Sequence, residues 1–545
     1  MTSRLATFLA LIAVISSCTL GGSSAPSEQL ASDQTLSFPI SQDVADFDPA
    51  QITSPADVDI LRNVFSGLYR FDDQLHEVPD IATAFPDISA DGLTYTFHLR
   101  KNARFSNGDA ITADDVVYSW NRAAARQGEF ATLFSPIKGY DAVARGRTKT
   151  LSGLSATDPY TVQTQLSKAA GYWLTEVGLW PFWLVDQKVV KSAGEDLWYA
   201  QPETLVGSGP FKMTARQVGA TMDFEPVAGW YGGTTGKLKH VHVEVLTDPV
   251  VQISKYESGV FSLIGYGRQT LEPATAARYL SDQKLRGQLN VVPAGVTFWV
   301  GFNLKSGPFA GDAGKAGRHA FSTAIDRAAL VQAVCTGGTT CIEATGGLIS
   351  KGLAGYLGDG ADVNAKFNAA AAKSEYQSWD PNGSKVKNLS YTYDSGAFNA
   401  AVCTNLASQW KQNLGVTVKC TEVDRQTFFD TRDGRCGYNA FRESWSADYN
   451  SPQDWFDYLF VSRGTSNGAC YSNAAFDKLA SDADAQPAGL AIAGYEDAGK
   501  ALVDGVAYAA LVYGVQQYLV QPYVRGAGGT ALYDFYWTSA RIDQH

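Results

Sequence analysis

Between Arg442 and Asp448 the chain sets a cation and an anion six residues apart with Trp445 between them, in the run Arg442-Glu443-Ser444-Trp445-Ser446-Ala447-Asp448. That trio is the complement of a zwitterion: a carboxylate for an ammonium, a guanidinium for a carboxylate, and an aromatic wall beside the backbone joining them. Ionic ends are costly to bury unless paired and hydrogen-bonded. Fixed counter-charges are therefore how a cleft can hold a peptide by its termini. The same residues also read as an ordinary strand and turn with a surface Asp and a structural Trp, and local pattern leaves both readings open.

Other chemistries find less support. The chain has no Gly-x-Ser-x-Gly and no His-Glu-x-x-His. Asp114 and Asp115 are neighbours at a helix start and point about 100° apart, so they cannot share a substrate as an acid/base pair. Gly232-Gly233, Gly337-Gly338 and Gly346-Gly347 lack the helix-opening pattern of a phosphate loop. The six His are scattered and no Cys-x-x-Cys exists, so neither metal nor cofactor is expected. A binding protein rather than an enzyme is the expectation.

With 545 residues, 45% of them hydrophobic, the chain can bury a large core and should fold as two or more domains. A net charge of −11 without any basic block disfavours nucleic acid and anionic membrane surfaces as partners.

The N-terminus reads as an export signal. Arg4 precedes the apolar run Leu5 to Ile15, which is too short to span a bilayer. Ser16-Ser17-Cys18 ends it, followed by the tether-like tract Thr19-Leu-Gly-Gly-Ser-Ser-Ala-Pro-Ser. Outside the cytosol the remaining Cys335, Cys341, Cys403, Cys420, Cys436 and Cys470 argue for disulfides. Many pairings are possible, and the sequential set is the expectation: Cys335 with Cys341 around a Gly-rich turn, Cys403 on a helix with Cys420 on the strand after it, Cys436 with Cys470 around the charged segment.

Strands and helices alternate, which argues α/β architecture. Thr35 to Ile40 reads as a first strand, and Ala56 to Leu68 as a helix with Val58, Leu61, Val64, Phe65 and Leu68 on one face. Leu93 to Leu99 alternates as a half-buried strand after the Asp91-Gly92 turn. Thr112 is placed to cap a helix from Ala113 to Ala125, with Asp114 and Asp115 in its first turn. No internal repeat or low-complexity stretch interrupts the pattern.

Several of these segments, in order, resemble one family. They are Asp91-Gly-Leu-Thr-Tyr-Thr-Phe-His-Leu-Arg-Lys101 with Asn107-Gly-Asp109 and Thr112 to Tyr118; Gly207-Ser-Gly-Pro-Phe-Lys212; Pro308-Phe309 leading to Ala324-Ile-Asp-Arg327; and Trp445-Ser-Ala-Asp-Tyr-Asn-Ser-Pro452 with Tyr471 to Leu479. Together they are similar to the peptide/nickel family of bacterial extracellular solute-binding proteins, the peptide receptors of ABC importers, over about residues 34–545. Ser16-Ser17-Cys18 likewise resembles a lipobox, which implies signal cleavage before Cys18, acylation there, and an exported protein held on the outer face of the cell membrane or in the periplasm.

The resemblance implies a two-lobed periplasmic-binding-protein fold of the large, cluster C-like kind, monomeric, with a signal peptide at 1–17 and a tether at 18–33. Lobe I would comprise 34–69, 190–295 and 515–545, an inserted subdomain 70–189, and lobe II 296–514. It assigns Asp448 to the ligand's α-ammonium, Arg442 to its C-terminus and Arg432 to a second charged position. Trp445 and Ser446 would border the groove, and Asp57 would stand on the lobe I wall. Phe298 and Trp299 read as strand core. Asn399 stands where some relatives have a His that reads the C-terminus, and Val296 and Ser446 stand where others have a disulfide. The function implied is capture of peptides and delivery to a membrane permease; the alternatives are the same fold holding an oligosaccharide or a metal chelate, or a secreted hydrolase.

Overall fold

The computed structural model describes residues 29–233, 236–433, 435–487 and 490–545. Cys18 and the export signal lie outside them.

The chain forms two lobes on separate sheets. In the first, strand Thr35–Ile40 lies parallel to His240–Val245, which continues antiparallel through Thr221–Pro226 to Phe211–Gln217. One face of this sheet buries Leu36, Phe38, Met222, Phe224, Val241 and Val243, the residues a period of two predicts. In the second, strands are ordered Leu263–Ile264, Tyr508–Val520, Leu289–Phe302, Ala440–Ser446, Ser390–Asp394 and Lys419–Val423, with Cys341–Glu343 also on Tyr508–Val520. Two long antiparallel strands, Leu289–Phe302 and Tyr508–Val520, run from one lobe towards the other, and their register breaks between Pro293 and Thr297. Proline has no N–H for a ladder, so the break falls where it costs least.

A third sheet, Asp87–Ile88, Thr94–His98, Thr161–Gln165 and Leu154–Asp158, is an antiparallel unit inserted after the first lobe's opening segment. Helix Ala113–Arg126 covers it and buries Trp120 edge-on against Trp173 and Phe182. Its start is fixed as the sequence predicts: the Asp115 carboxylate accepts the Thr112 N–H at 2.9 Å and the Thr112 hydroxyl at 2.8 Å.

The expected helix at 56–68 is shorter. It runs only Pro55–Leu61, although every residue from Leu61 to Tyr69 is buried. Beyond it the carbonyls turn away to serve another segment: Phe211 N–H donates to Asn63 O at 2.9 Å and Gly209 N–H to Val64 O at 2.8 Å. A Cβ on Gly207 or Gly209 would sit 2.0 Å or 2.6 Å from the Val64 backbone, so the Gly207-Ser-Gly209 motif is a close backbone crossing. Ser208 completes it by donating to Ser66 O at 3.0 Å and accepting the Ser66 N–H at 2.8 Å.

Three disulfides join Cys335 to Cys341, Cys403 to Cys420 and Cys436 to Cys470, the sequential set. No helix among the described residues is long and apolar enough to cross a membrane.

Candidate functional site

A cavity of about 150 Å³ opens where all three parts meet. Its walls are Thr53, Pro55, Val58, Arg268, Leu532 and Tyr533; Glu129, Phe130 and Trp180, from the stretch of chain that carries the third sheet; and Ser446, Ala447 and Asp448, at the end of strand Ala440–Ser446. Asp448 therefore faces the cleft. Its position follows from the strand before it: Ala440–Ser446 ends at Ser446, and Ala447 N–H donates to Gly295 O at 2.7 Å, which turns the next side chain into the gap.

Beneath the turn lies Asp454, fully buried. Its Oδ2 accepts the Asp448 N–H and the Trp445 indole N–H, both at 3.1 Å. Burial and the charge of Asp448 push the Asp454 carboxyl well above the usual carboxylate range. Trp445 is thereby committed to scaffolding, its ring stacked on Tyr458 at 5.7 Å. Ser446 is exposed on the cavity wall and pairs across the strands with Val296.

Asp448 makes no ion pair with any described residue. Asp448 is exposed at the cavity mouth, with Glu129, Phe130, Trp180 and Tyr533 among the residues around it. Desolvation by these surroundings, with the Glu129 charge opposite, pushes it up to about 6. The cavity's cation is Arg268, held in the left-handed region (φ 59°) just after Gly265 and Gly267. Its Nε lies 3.6 Å from the buried Asp59, beside a second buried carboxyl, Asp534, which burial and the Asp59 charge raise to about 8. Left-handed conformations are strained for a residue with a side chain and are retained where surrounding structure over-determines them.

The other expected site residues lie away from this cavity. Arg442 is buried in the second lobe, where its Nε donates to Asp394, its Nη1 donates to Ser444 Oγ at 2.9 Å, and its guanidinium lies over the Phe428 ring at 5.0 Å. Asn399 in turn donates to the Asp394 carboxylate at 3.0 Å. Arg432 is paired with Glu443 at 2.7 Å and with Asp433 at 2.7 Å. Asp57 lines a neighbouring cavity of about 290 Å³ that shares Arg268, and its carboxylate accepts the Ala45 N–H at 3.2 Å. Phe298 and Trp299 are strand residues, and Trp299 is buried core.

Glu129, Phe130, Trp180, Arg268 and Tyr533 were not singled out by the sequence. Only Gly265-Tyr-Gly267 before Arg268 could have hinted at an unusual backbone there.

The family pattern for bacterial extracellular solute-binding proteins, family 5 (middle region), matches residues 77–467. The periplasmic murein peptide-binding protein MppA of Escherichia coli K12 is 25% identical over 91% of this chain and 91% of its own. The periplasmic oligopeptide-binding protein OppA of Salmonella typhimurium LT2 is 27% identical over 92% of this chain and 91% of its own. Among solved structures, the unliganded open form of the murein tripeptide-binding protein MppA superposes with a TM-score of 0.84 at 25% identity, covering 95% of this chain and 99% of that one. Another structure, of MppA from Escherichia coli, reaches 0.67 at the same 25% identity, with 95% and 100% covered. The match across most of the length, together with the two-lobed fold, makes the chain a member of the bacterial extracellular solute-binding proteins, family 5.

Proposed function

We propose that this protein captures short peptides between its lobes and presents them to an ABC permease, with Asp448 as the anchor for the ligand's α-ammonium. What carries the reading is one observation: a carboxylate without a cationic partner, aimed into the interlobe cavity. Family membership supports it, and so do relatives named for binding peptides. Glu129 adds a second negative charge to the same wall, and Arg268 offers a cation across it. Ser446 lends polar groups to the ligand backbone, and Trp445 shapes the wall from behind.

Arg442 lies on the same face of strand Ala440–Ser446 as Ser446, since residues two apart share a face. We assign it the ligand's far end, with its fork pre-oriented by Asp394. Arg432 and Asp57 serve the scaffold. Lobe I is assigned to 34–69, 190–295 and 515–545, the inserted unit to 70–189 and lobe II to 296–514. Closure follows by population shift: a ligand touching both lobes favours the closed state by its differential affinity for it. The mature protein is a monomer tethered through acylated Cys18, with 1–17 removed; the tether, expected over 18–33, ends before Gln29, since Gln29 to Ala31 already pair with Ile542 to Gln544.

Native mass spectrometry of the purified protein, followed by calorimetry with a tripeptide and its N-acetylated form, tests the reading. Acetylation and Asp448→Ala should each cost on the order of 2–5 kcal/mol, the penalty for leaving one charge of a desolvated pair alone. Equal affinity for both peptides ends the assignment. The rings of Phe130, Trp180 and Tyr533 around the cavity favour a second reading, an oligosaccharide or other non-peptide solute, which retained cargo of that mass would establish.

A further inference from the structure

Away from the cleft, three side chains on the first lobe's sheet converge on one another. His240 and His242 stand two apart on strand His240–Val245, so both project from the same face, while Val241 and Val243 between and beyond them are buried on the other. Asp223 is the direct cross-strand partner of His242. His240 Nε2 lies 3.0 Å and His242 Nδ1 2.7 Å from the same oxygen, Asp223 Oδ1. The three groups' ligand atoms all fall within 4.8 Å of one another. None of the residues lining the interlobe cavity comes from these two strands.

We propose that Asp223, His240 and His242 form a binding site for a divalent transition-metal ion of the zinc class, on the face of the sheet opposite its core. Two imidazoles and a carboxylate are the donor set such ions take, and hard ions such as calcium and magnesium, which want oxygens, are poorly served by it. The geometry is close to what coordination needs. Metal–nitrogen and metal–oxygen bonds of about 2.1 Å at tetrahedral angles put ligand atoms about 3.4 Å apart. The His240 and His242 nitrogens, 3.0 Å and 2.7 Å from Asp223 Oδ1, sit somewhat closer than that, so small outward side-chain rotations suffice.

The backbone supplies rigidity, since the adjoining Met222, Phe224, Val241 and Val243 are packed core. Access is open as well. The three side chains are 34%, 33% and 23% exposed for His240, His242 and Asp223, which leaves room for water to complete the coordination shell. Hydrogen bonds from the imidazoles to Asp223 hold the site together when it is empty. Metal entry replaces those two N–H groups by lone pairs, with the protons moved to the outward ring nitrogens.

The test uses untagged protein stripped with a chelator and titrated with zinc chloride in a calorimeter, with calcium and magnesium chloride as controls. One equivalent of zinc should bind and the two hard ions should not. His240→Ala/His242→Ala should weaken zinc binding on the order of 100-fold, as loss of coordinating groups does. Asp223→Asn, which keeps the shape of the strand pair, should weaken it as well. Peptide binding should be unchanged in both variants, so failure of this site is separable from failure of the cleft. Absence of zinc binding in the unmutated protein, or binding of equal strength in properly folded double and Asn variants, overturns the proposal.

Discussion

Asp448 and Glu129 line one cavity from opposite sides, the first from the second lobe and the second from the inserted unit, and neither makes an ion pair with a described residue. Two unpartnered carboxylates are an arrangement that waits for a cation. Burial first, and the Glu129 charge second, raise Asp448 to about 6. A bound ammonium favours the ionised form, so its pKa falls on binding and a proton leaves between the two values. Affinity is therefore greatest near pH 7, lost as pH drops through 6 and the Asp448 charge goes, and lost again above about 8 as the ligand's own ammonium gives up its proton. Between pH 7.5 and pH 5 peptide affinity should weaken roughly 10-fold. Calorimetry at both pH values reads this directly, and a flat profile would contradict the electrostatic role. Asp448→Asn should be weak and flat.

The share of that shift due to Glu129 can be isolated. Glu129→Gln removes the like charge while leaving burial in place, so the midpoint of the affinity profile should move down from about 6 towards the ordinary carboxylate range. A carboxyl NMR titration of Asp448 reports the same change without ligand. A midpoint that stays put would assign the whole shift to desolvation.

Arg442 and Asp394 form the buried pair behind the groove. Burial alone would raise Asp394, but the hydrogen bond and charge of Arg442 outweigh it and hold the carboxyl below its usual value. Removing one member of such a pair leaves an uncompensated charge, at a cost of about 3–5 kcal/mol. Asp394→Ala should lower the unfolding free energy by that order in denaturant titration. It should also weaken peptides with a free carboxylate more than their amides, if Arg442 holds the far end. Equal losses for both forms would confine Arg442 to scaffolding.

Much of the fold was legible because its signals are local. Thr35 to Ile40 alternates as a strand must, and Thr112 with Asp115 marks a helix start within four residues. The Trp445 to Pro452 motif drew attention to Asp448, and the structure puts that residue on a cavity wall. The helix after Pro55 was read too long because apolar periodicity records burial, and the chain stays buried after the helix ends at Leu61, where it docks Gly209 and Phe211. The remaining cavity residues were illegible for a topological reason. Glu129, Trp180, Arg268 and Tyr533 arrive from distant parts of the chain, and no spacing connects them. His240 and His242 stand two apart in plain view, but Asp223 joins them only through strand register.

Asp484 carries the consequence of an acidic contact between the inserted unit and the second lobe. Gly171 N–H donates to the Asp484 carbonyl at 2.6 Å, and Glu176, Asp454 and Asp457 crowd the same region. Burial and the Asp457 charge raise the Asp484 carboxyl to about 7, while the Tyr495 hydroxyl donates to it at 2.6 Å. A carboxyl whose folded pKa exceeds its unfolded one binds more protons when folded, so stability falls as pH rises between the two values. The window runs from about 4 to 7, with the full penalty present above it. The melting temperature should therefore be higher at pH 5.5 than at pH 8. Asp484→Asn, which can still accept from Tyr495, removes the charge that must be buried at high pH. It should melt above the unmutated protein at pH 8, by about 1–2 kcal/mol of stability, and close to it at pH 5. A variant that melts lower at pH 8 would mean that Asp484 is ionised and favourably solvated in the folded protein.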